Sequence, residues 1–182
     1  MAVSDSQGGI YNPQGLNIVD LKKFKDATGS VVSFSGAQNI TNADLLLLEC
    51  DVLVPAAKES VVTEANAGDI KAKVILELAN GPITLPADAI LAQKGVFVLP
   101  DILANAGGVT VSYYEWVQNN GGDKWTKEQI DEKLGYTMNT STYEVLNTAK
   151  DYGVDNRTGA YIVAIRRLAQ NIRLRGRYKL SL

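Results

Sequence analysis

The 182-residue sequence predicts an α/β chain: a parallel sheet of short buried strands with helices between them, followed by further helices. Two observations predict it. Cys50–Val54 (CDVLV), Val74–Leu78 (VILEL) and Val96–Leu99 (VFVL) are short apolar runs separated by helical or turn-rich sequence, the pattern of parallel βαβ units whose strands are buried on both faces. Each run also ends in a turn built from Pro and small residues. Ligands of open parallel sheets sit at the carboxyl ends of the strands, so Ala56, Asn80 and Asn105 are expected along one edge.

In chain order, Met1–Ser4 reads as the end of a strand and Asp5–Gly9 as a loop of turn formers. Leu16, Val19 or Asp20, Lys23 and Ala27 set out a short helix that Thr28-Gly29 ends. Val31–Phe34 has the composition of a short strand. Thr41 suits the cap of a helix over Asn42–Leu48, although the four consecutive leucines also fit a buried strand. Thr63–Ile70 reads as a small helix. Leu85–Gln93 reads as another, with Pro86 in its opening turn and Gly95 just beyond it.

Leu99–Gln118 is the stretch around which the rest is organised. After Pro100-Asp101 a helical pattern places Asn105, Val109, Ser112 and Trp116 at spacings of four, three and four, on one face. Gly107 and Gly108 weaken that helix by about 1 kcal/mol each relative to Ala, so either a flat ligand or another helix is expected to approach the backbone there. Gly121-Gly122 break the chain, and Thr126 opens a long helix to about Asp151, with Gly135 and its Thr/Asn-rich surroundings as a weaker stretch. Gly153 ends it. Asp155 or Asn156 caps a last helix, Arg157–Leu174, along which Tyr161, Ile165, Leu168 and Ile172 form an apolar stripe. With no polar linker before them, the C-terminal helices are expected to pack back on the sheet.

Eighteen basic against 20 acidic residues give a net charge of −2, which provides no electrostatic footprint for nucleic acid or an anionic membrane. The basic cluster Arg166, Arg167, Arg173, Arg175, Arg177 and Lys179 suits the C-terminal dipole of the last helix. Cys50 is the single cysteine, in an apolar run, and is expected as core filler in a reducing, cytoplasmic setting. No apolar run reaches the length of a spanning helix, and the N-terminus lacks a signal-peptide pattern. Without histidine the chain offers neither a Ser-His-Asp nor a Cys-His constellation, and no transition-metal cluster is expected. Chemistry here must come largely from a bound cofactor or another segment.

Four segments, SDSQGGIYNPQGL, DVLVPAA, LANGP and PDILANAGGVTVSYYEWVQN, follow one another in the order and spacing of the C-terminal half of the hexameric glutamate dehydrogenases, and the chain resembles that family up to its closing RTGAYIVAIRRLAQNIRLRG. The resemblance implies an incomplete Rossmann-like doubly wound sheet, with residues 1–120 as a truncated dinucleotide-binding domain and 121–182 as a helical segment packed on it. The family's first strand, its G-x-G-x-x-G turn and its substrate domain with the catalytic lysine and aspartate find no counterpart in the chain. It therefore resembles about the last two-fifths of an enzyme that oxidises L-glutamate to 2-oxoglutarate and ammonia, a homo-oligomer in its parent form, and is expected to be inactive alone. A noncatalytic assembly module on the same scaffold and a fragment of an apolar amino-acid dehydrogenase are the alternatives.

The resemblance also assigns roles. Asp5, beside Ser6, stands where the family meets the adenosine ribose, and a carboxylate there favours NAD over NADP; a loop-capping role for Asp5 is the alternative. Ser6 can still hydrogen-bond a phosphate, so NADP stays open. Ala56 and Ala57 resemble the small residues walling the adenosine end, or are simple turn residues. Asn80 resembles the asparagine near the nicotinamide ribose and Asn105 the one that holds the carboxamide, a task suited to an amide because it both donates and accepts. Ser112 resembles the residue that binds the distal carboxylate of glutamate, with Val109 against the aliphatic part of the substrate. Leu78 stands where the family commonly has Gly, close to the expected cofactor path.

Overall fold

Side-chain caps set the starts of most helices in the computed structural model, which describes residues 1–176. The Asn17 side chain accepts from the Val19 and Asp20 N–H groups at the head of α1 (Ile18–Thr28), and Thr41 and Asp44 form a reciprocal capping box on α2 (Asn42–Leu46). Thr84 caps α3 (Leu85–Gln93), whose bounds match those read from the sequence. The central helical stretch is two helices, α4 (Asp101–Ala104) and α5 (Ala106–Gly121), separated at Asn105. Thr126 and Gln129 form a second capping box on α6 (Lys127–Tyr152), which runs unbroken through Gly135, and Asp155 caps α7 (Asn156–Leu174).

The strands β1 (Ala2–Ser4), β2 (Gly9–Tyr11) and β3 (Gln38–Ile40) form an antiparallel sheet in that order, with Val3 opposite Ile10 and Ile10 opposite Asn39. The strands β4 (Val52–Leu53), β5 (Val74–Leu76) and β6 (Phe97–Leu99) form a parallel sheet in that order, with Ile75 opposite Val98. The predicted parallel sheet is thus present with shorter strands. The antiparallel sheet, however, is an addition: β2 and β3 are too short for any hydrophobic period to announce them.

Two predicted elements are absent. Val31–Phe34 is a turn, because Ser33 takes a φ of 68°, the Phe34 N–H donates to the Val31 carbonyl, and the Val31 N–H is taken by the Asp5 carboxylate. Within Thr63–Ile70 only a 3-10 turn, Ala67–Asp69, forms. There the Asn66 side chain accepts from Thr63 N–H and donates to the Val61 carbonyl, which competes with a helical start.

Ile10, Leu21 and Val31 fill the space under the antiparallel sheet. Leu53, Val62, Ile70, Ile75 and Leu91 build the core between the parallel sheet and α3, with Cys50 half-buried against it and burial pushing its thiol up. Leu103, Val145, Ala160 and Val163 join α4, α6 and α7, and the Asn156 side-chain amide donates to the Val98 carbonyl of β6 at 2.9 Å. The predicted apolar stripe on the last helix faces outward: Tyr161, Ile165 and Leu168 are 50%, 62% and 63% exposed. The buried face is Gly159, Ala160 and Val163, because a small-residue face brings α6 and α7 closest. Arg177 and Lys179 of the basic cluster lie outside the described residues. Among the described residues, no helix is long and apolar enough to cross a membrane, and no grouping of Asp, Glu, His and Cys could hold a metal ion.

Candidate functional site

Two asparagines meet where β5 and β6 end. Past β5 the chain runs through Glu77 to Asn80 and turns at Gly81, whose φ of +55° lies in the region that disfavours a side chain. Past β6, Asp101 opens α4 and binds that turn: one carboxylate oxygen accepts from the Gly81 N–H at 2.8 Å and the other from the Ile102 N–H at 2.8 Å. One helical turn later Asn105 leaves the helix, with φ −95° and ψ 4°, and its side-chain amide donates to the Asn80 side-chain oxygen Oδ1 at 2.7 Å. The Asn80 amide nitrogen and the Asn105 amide oxygen make no hydrogen bond among the described residues. The pair therefore presents one donor group and one acceptor, the complement of a primary carboxamide.

The face of α5 beyond Asn105 is open. Val109 is 70% exposed, and the Ser112 hydroxyl, also exposed, donates to the Gly108 carbonyl at 3.1 Å. A Cβ on Gly108 would meet nothing within 4 Å and one on Gly107 would only touch Leu134, so close helix packing does not account for the pair. Leu78 is 43% exposed, and its backbone carbonyl lies 3.5 Å from the Asn105 amide nitrogen.

Asp5, Ser6, Ala56 and Ala57 line a separate cleft of about 860 Å³ with an apolar wall that includes Leu45, Leu46 and Val52. β1 and β4, the outer strands of the two sheets, both border it. Asp5 caps its loop. One oxygen accepts from the Gln7 N–H at 2.9 Å and the other from the Val31 N–H at 2.7 Å, with the Ser30 hydroxyl at 3.3 Å. These bonds, the Gln7 and Val31 N–H groups first, hold its carboxyl below the usual carboxylate value. Lys25 comes within 3.8 Å from α1, a cation that the adjacent loop sequence gave no sign of.

Asp5→Asn turns an N–H toward Gln7 or Val31, and leaving the buried Val31 N–H unpaired costs about 1–3 kcal/mol. Because the folded carboxyl titrates lower than the unfolded one, its contribution is present above the unfolded value of 3.8 and is lost as pH falls through the folded value. Thermal melts from pH 7 to 3 should therefore show a lower midpoint for D5N at neutral pH and a smaller further loss on acidification.

Sequence reasoning missed an ion-pair network beneath the asparagines. Arg157 meets Glu77, Asp88 and Asp101, with Glu77 fully buried. The available signal was Glu77 itself, the one charge in the apolar run VILEL. Burial pushes the Glu77 carboxyl up, opposed chiefly by its bond to Arg157, and, against its own burial, Arg157 is in turn raised by its bonds to Glu77 and Asp88.

A family model described as Glutamate/Leucine/Phenylalanine/Valine dehydrogenase matches residues 1–176. The chain is 48% identical over 178 residues to a glutamate dehydrogenase of Thermotoga maritima, covering 98% of this chain and 43% of that protein. It is 46% identical over 176 residues to a cryptic catabolic NAD-specific glutamate dehydrogenase of Bacillus subtilis, covering 97% of this chain and 41% of the relative. Among solved structures, the hetero-hexameric glutamate dehydrogenase of Thermus thermophilus in its Leu-bound form superposes with a TM-score of 0.89 at 34% identity, over 98% of this chain and 42% of that one. The chain thus spans about two fifths of the length of these relatives.

Proposed function

We infer, from a chain that belongs to the Glutamate/Leucine/Phenylalanine/Valine dehydrogenase family over residues 1–176, that it supplies one side of the nicotinamide and amino-acid site of an NAD-dependent glutamate dehydrogenase. The observation that carries this reading is the Asn80–Asn105 pair, whose unspent donor and acceptor suit the nicotinamide carboxamide. NAD⁺ accepts the hydride from the α-carbon of L-glutamate, and hydrolysis then yields 2-oxoglutarate and ammonia. The asparagines hold the ring in place, Val109 packs on the substrate's aliphatic part, and the Ser112 hydroxyl turns from Gly108 to donate to the distal carboxylate. The groups that move protons belong to a segment with no counterpart in residues 1–182, so the chain alone orients but does not turn over substrate.

In this reading, residues 1–120 are an incomplete doubly wound dinucleotide-binding domain, residues 121–182 a helical segment docked on it, and the parent enzyme an oligomer. Asp5, Ser6, Ala56 and Ala57 serve the adenosine end across the cleft. The ionised Asp5 disfavours a 2′-phosphate and supports NAD, as does the Bacillus subtilis relative named NAD-specific; Lys25 keeps NADP as the alternative. A second reading, a noncatalytic assembly module, is favoured by the same cleft, since the outer edges of β1 and β4, unpaired among the described residues, could pair with a strand of another segment.

Titration of the labelled chain with NAD⁺ and NADP⁺ by NMR tests the reading. NAD⁺ is expected to move the Asn80 and Asn105 side-chain amides more than NADP⁺ does at equal concentration, with no NADH formed when glutamate is added. Unmoved amides at millimolar NAD⁺, or turnover by the pure chain, would overturn it.

A further inference from the structure

We propose that Arg157 is a positioning residue for the Asn80–Asn105 pair and acts on it through Asp101; the role rests on reading that pair as the nicotinamide-facing amides. Arg157, at the start of α7, is 13% exposed and reaches carboxylates on three separate elements. Its Nη2 donates to Glu77 past β5 at 2.9 Å, its Nε to Asp88 on α3 at 2.6 Å, and its Nη1 to Asp101 at the head of α4 at 3.2 Å. Only a planar fork of several donors can serve all three at once.

Of the three acids, Asp101 is the one that leads on to the site. Its second oxygen holds the N–H of Gly81, the neighbour of Asn80, and the helix it opens ends at Asn105, whose N–H donates back to the Asp101 carbonyl at 3.1 Å. Both amides are thus one link from Asp101. Arg157 fixes Asp101 twice over, directly through the side chain and indirectly through Glu77, whose other oxygen accepts from the Asp101 N–H at 2.7 Å. Asp88 has no hydrogen bond toward Gly81 or Asn105 among the described residues, which makes it the internal control.

The side-chain amide signals of Asn80 and Asn105 in the labelled full chain read this link without any ligand. Arg157→Lys keeps a cation beside Glu77 but cannot bridge to Asp101, and is expected to shift the Asn105 amide and speed its solvent exchange by about tenfold, the loss of one hydrogen bond. Asp101→Asn should do the same, because whichever way its amide turns, an N–H faces either Gly81 or the guanidinium. Asp88→Asn removes a comparable contact and should leave both amides in place. A merely structural role would lower the melting temperature in all three variants without singling out these amides. Unchanged amides in Asp101→Asn, which reads the link even if Arg157→Lys fails to fold, would overturn the proposal, as would an equal change in Asp88→Asn. If the variants behave as expected and NAD⁺ leaves the amides of the unaltered chain unmoved, the positioning stands and the cofactor reading falls.

Discussion

Arg157→Ala is expected to lower the free energy of unfolding by about 3–5 kcal/mol, the range found when one partner of a buried ion pair is removed. The Glu77 side chain is 0% exposed and its one ion pair among the described residues is with Arg157. Losing the guanidinium strands a carboxylate in the core, and Asp88 and Asp101 lose their shared counter-charge as well. The pH dependence gives the effect its signature. The folded Glu77 carboxyl already sits above its ordinary value of 4.5, and without Arg157 it rises further. A carboxyl raised on folding contributes stability that is fully present below the unfolded value and is lost as pH rises through the folded one. The variant's deficit should therefore be largest at pH 7 and shrink as pH falls and the raised Glu77 carboxyl takes up its proton. Urea melts at pH 7 and pH 5 would check this, and a deficit that is equal at both would contradict it.

Gly159→Ala should destabilise by up to about 2 kcal/mol net, because the new methyl group overpacks a helix contact that has no room for it, at about 1–3 kcal/mol, and helix propensity offsets only part of that. A Cβ at Gly159 would stand 2.9 Å from the Ala149 Cβ and 3.1 Å from the Ala149 Cα and N. Two of those three atoms are backbone, so relief requires α6 and α7 to separate. An alanine raises helix propensity by up to about 1 kcal/mol over glycine, less than the clash costs, so the net sign is destabilising. Pairing it with Ala149→Gly removes the nearest atom and should recover part of the loss. A double-mutant cycle from chemical denaturation measures this as a coupling energy, and strict additivity of the two changes would contradict the packing argument.

Sequence reading succeeded where the deciding interaction is local. Thr41, Thr126 and Asp155 bond N–H groups three residues away, so the start of each helix is written within one turn of chain. The parallel strands were legible as apolar runs for the same reason. Val31–Phe34 failed as a strand because its fate rests on Asp5, 26 residues earlier, whose carboxylate draws it into a turn. The outward stripe on α7 failed for a related reason: amphipathic spacing marks an apolar face, but which face is buried depends on how closely α6 can approach, and Gly159 decides that.

For the site, the sequence marked Asp5, Ser6, Ala56, Ala57, Asn80, Asn105, Val109 and Ser112 and expected Ala56, Asn80 and Asn105 along one edge, whereas which of these side chains meet came from the fold. Asp5 and Ser6 share a cleft with Ala56 and Ala57, while Asn80 bonds Asn105 across 25 residues of sequence. By itself the sequence determined the family, the presence of a parallel sheet flanked by helices, and the places where most helices begin and end. Tertiary structure alone decided that the central helix breaks at Asn105 to meet Asn80, that Asp5 divides its oxygens between its own loop and the distant Val31 turn, and that Arg157 reaches Glu77 across 80 residues. The physical reason is range. Caps and apolar periods are satisfied within a few residues of chain, whereas a buried charge or an amide pair takes its meaning from a partner that only the folded chain brings within hydrogen-bond distance.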